Sequence, residues 1–327
     1  MSTATATGPD VTPRRGRRVA DLARNGVAAW VVVAVAVVGL SVADGARFWA
    51  PANLATVLTA TVVLGLVALG EHVVVLSGGI DLSVGSMATL SALLTAVLID
   101  GYPIRTVPVL VAMIALGALV GVVHGLLVAR AGLPPFIVTL GSFYLLQGLA
   151  FMVSTTPAGQ VTSALSAIGL RRVGPFPYSL ALLAVATLVV AVLLGRTVYG
   201  RHLFAVGGDP SHARASGLPV SRVLVATYAL ASALAATAGI VLAARATIGS
   251  PTAGQGLELS AITVVVVGGT SLLGGRGSLV GTLGGVVLLA LITSSVTLLQ
   301  LPSTWTDLVR GVVIIVAAAV FVTRSRR

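Results

Sequence analysis

Long apolar runs separated by short polar segments dominate this chain. Because an α-helix needs roughly 20 apolar residues to cross about 30 Å of hydrocarbon, these runs predict membrane-spanning helices. The eighth run is the least regular, since glycines crowd its end. The pattern predicts an all-α integral membrane protein with glycine-rich, broken helix ends. Its ten predicted spans are at about 26–43, 53–77, 83–99, 107–129, 136–154, 178–195, 223–245, 257–272, 279–298 and 307–323.

A polar segment interrupts the apolar pattern between the second and third spans. Residues 78–86 carry one carboxylate, two serines and three glycines. A break of this kind is costly in a bilayer unless the freed backbone groups find protein or water partners. We therefore predict a functional break or gate in this segment, formed by Gly79, Asp81, Ser83, Gly85 and Ser86.

The acidic residue of this break has two interpretations. Asp81 is expected to be the N-cap of the third helix, where its charge faces the positive end of the helix dipole. In the competing interpretation it takes part in gating. Ser83 and Ser86 are expected to bond carbonyl oxygens that the break frees.

Composition supports the membrane class and excludes others. The chain is 57% hydrophobic and 9% charged, with a mean hydropathy of +1.06, whereas a soluble domain has about 25% charged residues. It has no cysteine, so a disulfide framework is excluded, and we predict no metal site. All twenty basic residues are arginine. A P-loop needs a lysine, so we expect no ATP hydrolysis by this chain alone, and the scattered arginines do not favour nucleic-acid binding.

The arginines also predict the orientation in the membrane. The positive-inside rule places the tails, 1–25 and 324–327, in the cytoplasm, on either side of a transmembrane domain over 26–323. With ten spans, fourteen arginines then lie inside and five outside, and Arg310 lies within the last span. This asymmetry predicts that both termini are cytoplasmic.

A few polar side chains within the spans are functional candidates, and three of them, Glu71, His124 and Gln147, are predicted to line a translocation path. Glu71 and His72 lie in the second span, His124 in the fourth and Gln147 in the fifth. Ionisable residues inside spans are functional candidates by default. For Glu71 and His72 the alternative is a buried pair bonded to neighbouring helices. His124 and Gln147 could bind hydroxyl groups of a substrate, but we favour the interpretation that they join helices.

Two loops are long enough to have functions of their own. The outer loop, 155–177, could contain a short helix over 164–170, and it is either a connector or a docking surface. In the inner loop, 196–222, Asp209 is a good N-cap, Pro210 suits the first helical position and Gly217 suits the end of a helix. The predicted helix, 210–216, is too short to be stable alone in water. It packs either on its own membrane domain or, as we favour, on a cytoplasmic subunit.

Five segments together resemble the permease subunits of ribose-type ABC sugar importers. The likeness covers about residues 40–325 in the same order. It rests on Asn53 with Leu54, and on 79–86 (GIDLSVGS), 133–141 (LPPFIVTLG), 200–217 (GRHLFAVGGDPSHARASG) and 268–277 (GGTSLLGGRG).

The resemblance implies a mechanism and a set of partners. Two permease copies would form the pathway in a bacterial cytoplasmic membrane, and an external binding protein would deliver a monosaccharide. A separate ATPase chain would bind ATP and Mg²⁺, while this chain would bind no cofactor. The inner loop, 196–222, would be the coupling loop. It would dock on that ATPase through Asp209, Pro210, Ala213, Arg214 and Gly217.

Two alternatives stay open at this point. One is a proton-coupled secondary transporter in which Glu71, His72 and His124 carry protons. The other is the same ABC architecture with a different small solute as cargo. The capped helix of the inner loop favours the ABC interpretation, because a secondary transporter has no cytoplasmic partner for it.

Overall fold

The structure of this chain is a computed structural model that describes residues 15–300 and positions 302, 308, 311 and 312. The predicted tenth span, about 307–323, and the tail 324–327 lie outside the described residues apart from three of these positions. Twelve helices and one hairpin make up the described part. They are α1 (Arg15–Phe48), α2 (Pro51–Leu76), α3 (Val84–Ile99), α4 (Pro103–Ala129), α5 (Pro135–Val153), α6 (Ser163–Leu170), β1 (Arg172–Val173), β2 (Phe176–Pro177), α7 (Ser179–Arg196), α8 (Val198–Gly208), α9 (Pro210–Ala215), α10 (Val220–Ala246), α11 (Leu257–Val267) and α12 (Leu279–Leu298).

Seven of these helices are long and apolar enough to cross a membrane: α1, α2, α4, α5, α7, α10 and α12. The helices α3 and α11 are shorter, with 16 and 11 residues. At 1.5 Å per residue, α11 is only about 16 Å long, too short to cross the hydrocarbon alone. The predicted span 257–272 is therefore wrong at its end, because the helix stops before Gly268 and Gly269.

The first helix also differs from its prediction. It begins at Arg15, inside the predicted tail 1–25, and its regular geometry is interrupted at Asp44 (φ −157°, ψ 69°). The interruption falls directly after the predicted end of the first span at 43. The predicted boundary therefore marks a kink rather than the end of the helix.

The centre of the described chain is formed by α2, α3 and α10, and α10 also packs against α4. Glycines make the contact between α4 and α10 close. A Cβ at Gly117 would lie 2.6 Å from the Ser232 carbonyl oxygen, and a Cβ at Gly121 would overlap the carbonyl oxygen of Tyr228. Small residues at a four-residue spacing let two membrane helices approach at backbone distance.

Glycines of α12 allow a similar approach. A Cβ at Gly281 would overlap the Gly268 carbonyl oxygen, and one at Gly285 would overlap that of Val264. A Cβ at Gly284 would lie 3.0 Å from the Ala29 Cβ. The ninth predicted span thus packs closely against both α11 and α1.

Two of the broken helices, α2 and α11, end in the same way. After α2, Gly78 has φ +85°, and the N–H groups of Gly78 and Gly79 donate to Val75 and Val74. After α11, Gly269 also has φ +85°, and the N–H groups of positions 269 and 270 donate to positions 266 and 265. Both ends are Schellman motifs, in which glycine supplies the left-handed residue that stops the helix. The valine- and glycine-rich segments 73–79 and 264–270 therefore end their helices with the same backbone geometry.

The predicted N-cap of the third helix is wrong. The residue at that position is Ser83, and α3 begins at Val84. Asp81 lies two residues earlier and accepts bonds from the N–H and the hydroxyl of Ser83, at 2.8 and 2.6 Å. A carboxylate bonded to the N–H two residues on forms an Asx turn, so Asp81 orders the approach to the helix rather than its first turn.

Candidate functional site

The signature break, residues 78–86, is held by its own side chains. Besides the Asx turn at Asp81, the hydroxyl of Ser86 donates to the Ser83 carbonyl oxygen at 2.9 Å, but this oxygen also accepts the Met87 N–H at 2.8 Å and is therefore not freed by the break. The hydroxyl of Thr139 on α5 donates to the Ile80 carbonyl oxygen at 3.2 Å. These bonds satisfy backbone groups in a region with little water, as a break in a membrane helix requires.

A buried polar cluster lies against this break. It comprises Glu71 on α2, Asp81 in the break, His124 on α4 and Tyr228 on α10, and we call these four residues the polar cluster. The Asp81 N–H donates to Glu71 Oε1 at 3.2 Å, and His124 Nδ1 lies 3.9 Å from Asp81 Oδ2. The rings of His124 and Tyr228 meet edge to face, with centroids 6.4 Å apart.

Each member of the polar cluster keeps one buried atom without a hydrogen-bond partner among the described residues. These atoms are Glu71 Oε2, Asp81 Oδ2, His124 Nδ1 and the Tyr228 hydroxyl. No arginine forms an ion pair with either carboxylate in the described part of the chain. A buried polar atom without a partner costs free energy, and a buried unpaired charge costs more.

Two other polar residues of the predicted spans, His72 and Gln147, each join structural elements. His72 Nδ1 lies within hydrogen-bond distance of the hydroxyls of Thr270 (3.1 Å) and Thr282 (2.9 Å). His72 thus connects α2 to the second glycine-rich break and to α12. Gln147 is half-buried on α5, and its Nε2 donates to the Pro251 carbonyl oxygen at 2.8 Å. This geometry fits the joining role that the sequence left as one of the alternatives for each residue.

Sequence reasoning missed two residues of this region, Tyr228 and Glu258. Glu258 lies in the first turn of α11, and its Oε2 is so close to Gly85 that a Cβ at Gly85 would overlap it. Glu258 is one of only two glutamates in the chain, and that scarcity was a usable signal. Tyr228 carried no comparable signal, because an aromatic residue in an apolar helix is an ordinary core residue.

The coupling loop contains two helices where the sequence predicted one. The longer one, α8, follows the Thr197 cap and buries Leu203 and Val206. Its Tyr199 hydroxyl lies 2.8 Å from the Thr227 hydroxyl, which fixes α8 to α10. The sequence did not reveal α8, because its apolar stripe is too short to stand out in a segment that was predicted to be a loop between two spans.

The predicted short helix is present as α9, with the predicted cap and stop. Asp209 Oδ1 accepts the N–H groups of Ser211 and His212 at 2.8 and 2.9 Å. These bonds, above all the backbone and side-chain bonds from His212, lower the pKa of the Asp209 carboxyl below its usual range. Gly217 has φ +76° and completes a Schellman motif, in which its N–H donates to the Arg214 carbonyl oxygen at 3.0 Å.

Most of α9 is exposed. Among its residues only Ala213 is buried, while Pro210, Arg214 and their neighbours face outward. The helix therefore touches its own chain along one narrow line. The described part of the chain leaves the rest of the α9 surface uncovered.

A cavity of about 150 Å³ lies beneath the start of α9. It extends from Pro210 and Val206 to the signature break and the Tyr228 side chain, and it is lined in part by Ser77, Gly78 and Gly79. The cavity therefore lies between the start of α9 in the coupling loop and Tyr228 of the polar cluster.

The outer loop also has structure. It contains α6, as predicted, and the hairpin β1–β2, in which Arg172 pairs with Pro177 and Val173 with Phe176. Leu170, Val173 and Phe176 are exposed. Ala158 forms an isolated bridge with Gly249, which fixes the start of this loop to the segment after α10. A fixed loop with exposed apolar side chains is compatible with a docking surface, one of the two interpretations that the sequence left open.

Comparison with known proteins gives consistent matches. Residues 53–318 match the family described as "Branched-chain amino acid transport system / permease component". The chain is 34% identical to the fructose import permease protein FrcC of Rhizobium meliloti, over 89% of this chain and 83% of that protein. It is 35% identical to the ribose import permease protein RbsC of Escherichia coli (strain K12), over 84% and 87%. It is 37% identical to the ribose import permease protein RbsC of Bacillus subtilis (strain 168), over 83% and 84%. No solved structure matches the chain significantly.

Proposed function

Since this chain belongs to the family described as "Branched-chain amino acid transport system / permease component", we propose that it forms the membrane pathway of an ATP-driven importer for a monosaccharide. The observation that carries the choice of cargo is the similarity, over more than four fifths of the chain, to permeases named for ribose and fructose import. The same similarity does not favour a proton-coupled secondary transporter. The chain is a transport subunit, not an enzyme.

The proposal includes a separate ATPase that binds ATP and Mg²⁺. The chain has no lysine and hence no P-loop, so the energy must come from a partner. The exposed and doubly capped helix α9 supports a docking role, because a helix of six residues keeps its shape only when its ends are fixed. In this proposal α9 fits a groove on the ATPase and follows its closure.

We also propose that two copies of the chain enclose the pathway. The centre of one copy is packed with the buried side chains of α2, α3 and α10, and a sugar path through that centre would need room between these helices. A path between two copies needs no such room. The external binding protein would then deliver its sugar to the side that carries α6 and the β1–β2 hairpin, with both termini in the cytoplasm.

Reconstitution tests this proposal directly. Proteoliposomes that contain the chain and its ATPase are supplied with a sugar-loaded binding protein, and the uptake of labelled ribose, fructose and galactose is measured. We expect uptake only when ATP and Mg²⁺ are present on the side of the membrane where the ATPase is bound, because this chain cannot hydrolyse ATP. The control omits the ATPase.

A different result would contradict the proposal. If the purified chain alone accumulated solute in response to a proton gradient, the chain would be a secondary transporter. If ATP-dependent uptake occurred only with amino acids, the architecture would hold and the cargo would be wrong.

A further inference from the structure

The end of α8 touches both broken helices through backbone atoms. A Cβ at Gly207 would overlap the carbonyl oxygen of Leu76, the last residue of α2. It would also lie 2.7 Å from the amide nitrogen of Gly275 in the second glycine-rich break. Real Cβ atoms almost never come so close to another atom, so a side chain at this position would push the neighbouring backbone segments apart.

The second glycine-rich break makes equally close backbone contacts with the end of α2 and with α8. The Gly275 N–H donates to the Leu76 carbonyl oxygen at 2.9 Å. A Cβ at Gly274 would lie 2.6 Å from the Gly207 carbonyl oxygen and 2.8 Å from the Gly78 nitrogen. Three segments that are far apart in the sequence therefore meet with no side chain between them. We call this contact of Leu76, Gly78, Gly207, Gly274 and Gly275 the glycine junction.

The glycine junction lies between α9 and the polar cluster. On one side, α8 ends at Gly208 and a single residue, Asp209, separates it from α9. On the other side, Gly78 leads to Gly79, where a Cβ would overlap the Tyr228 hydroxyl. His72 also ties α2 to the second break through Thr270 and Thr282. A displacement of α9 therefore reaches both breaks through a short, continuous path.

We propose that Gly207 is a positioning residue for energy coupling, through which α8, α9 and the two broken helix ends move as one unit. The proposal rests on the proposed function, in which α9 docks on an ATPase. A backbone contact has no rotatable side chain to absorb a displacement, and close-packed interfaces transmit strain rather than deform. Motion of α9 is then transmitted to the signature break and to the polar cluster.

Two neighbouring glycines of α8 provide a matched test. Gly207→Ala inserts a methyl group into the glycine junction, whereas Gly208→Ala inserts one where nothing lies within 4 Å of the new atom. Both changes replace glycine by a better helix former, so their effects on the intrinsic stability of α8 are alike. Both variants are reconstituted with the ATPase and the loaded binding protein, and sugar uptake is compared with ATP hydrolysis.

We expect Gly207→Ala to bind the ATPase normally but to transport at least about tenfold less sugar per ATP hydrolysed. Gly208→Ala should keep the ratio of the unchanged chain. A merely structural role would lower the amount of assembled complex and leave the ratio of sugar to ATP unaltered in the complex that remains. Equal ratios for the two variants would overturn the proposal. If the unchanged chain itself showed no ATP-dependent uptake, the proposed function would fail instead.

A second measurement covers the case in which Gly207→Ala does not accumulate in the membrane. The chain has no native cysteine, so Ser211→Cys on α9 and Leu273→Cys beside the junction carry spin labels at unique sites. Both positions are exposed. If the junction moves as one unit, the distance between the labels stays the same in the nucleotide-free and ATP-bound complexes. A change in this distance would show that α9 moves independently of the breaks, and the proposal would be wrong.

Discussion

Asp81 is the residue whose surroundings best explain how a carboxylate is held in an apolar region. One of its oxygens accepts two bonds from Ser83, and its own N–H donates to Glu71. The other oxygen faces His124 at 3.9 Å without a hydrogen bond. The two oxygens therefore have separate roles: one orders the break, and the other belongs to the polar cluster.

Substitutions at this position separate the two roles. In Asp81→Asn the amide oxygen can still accept both Ser83 bonds, so we expect a normally inserted chain with largely retained uptake. Asp81→Ala leaves the N–H and hydroxyl of Ser83 without that partner, which should cost about 1–3 kcal/mol of stability and reduce uptake. Uptake and membrane abundance are measured for both. A well-inserted but inactive Asp81→Asn chain would show that the negative charge itself takes part in gating.

Among the elements, the short helix α9 depends on its two ends. The Asp209 cap satisfies the first N–H groups of α9, and the left-handed Gly217 stops the helix. Between them the helix has only six residues, so neither end can be lost without consequence for its shape.

The Gly217 stop can be tested by substitution. A β-branched residue is poorly tolerated at positive φ, so Gly217→Val should cost about 1 kcal/mol or more and should change the direction in which the chain leaves α9. We expect insertion in the membrane but loss of ATPase binding and uptake. Gly217→Asn is the matched control, because asparagine is the other residue commonly found at this position of a helix end. ATPase co-purification is the measurement, and normal binding by Gly217→Val would contradict the assignment of α9.

The contact of α4 with α10 can be tested in the same way. Gly121→Ala places a methyl group against the Tyr228 carbonyl oxygen, and overpacking of this kind should cost about 1–3 kcal/mol. Gly141→Ala on α5 is the control, because nothing lies within 4 Å of the new methyl group. Thermal unfolding of the purified chains in detergent should show a lower midpoint for the first variant alone. Equal midpoints would mean that α4 and α10 are not so closely packed.

In the whole molecule, the short helices α3 and α11 matter as much as the long ones. Each follows or precedes a glycine-rich break, and the two breaks meet at the glycine junction. Long helices such as α4 and α10 surround this region. The signature break is largely buried, so protein groups rather than lipid satisfy its backbone, whereas the second break is partly exposed.

The orientation of the whole chain is a further prediction. Reporter fusions after Arg172 should report the outside and fusions after Arg214 the cytoplasm, because arginines concentrate on the side assigned to the cytoplasm. Activity of a periplasmic and a cytoplasmic reporter at both sites is the measurement. The reverse pattern would place α9 outside and remove it from any ATPase.

The sequence by itself determined the features that depend on neighbouring residues. Apolar runs showed where helices lie, Asp209, Pro210 and Gly217 showed where α9 begins and ends, and the glycines of 268–275 showed an irregular end. Each of these follows from interactions within about one helical turn, which the order of residues fixes. The exact start of α3 did not follow, because an Asx turn and an N-cap use the same residue types.

Only the tertiary structure decided which polar residues meet. Tyr228 reaches the signature break from a helix about 150 positions away, and His72 finds its partners at Thr270 and Thr282. The close approach of Gly207 to Leu76 and Gly275 was invisible as well, since a glycine in a loop is expected for local reasons. These contacts depend on how helices pack, and packing is set by many weak interactions between distant segments rather than by any local pattern.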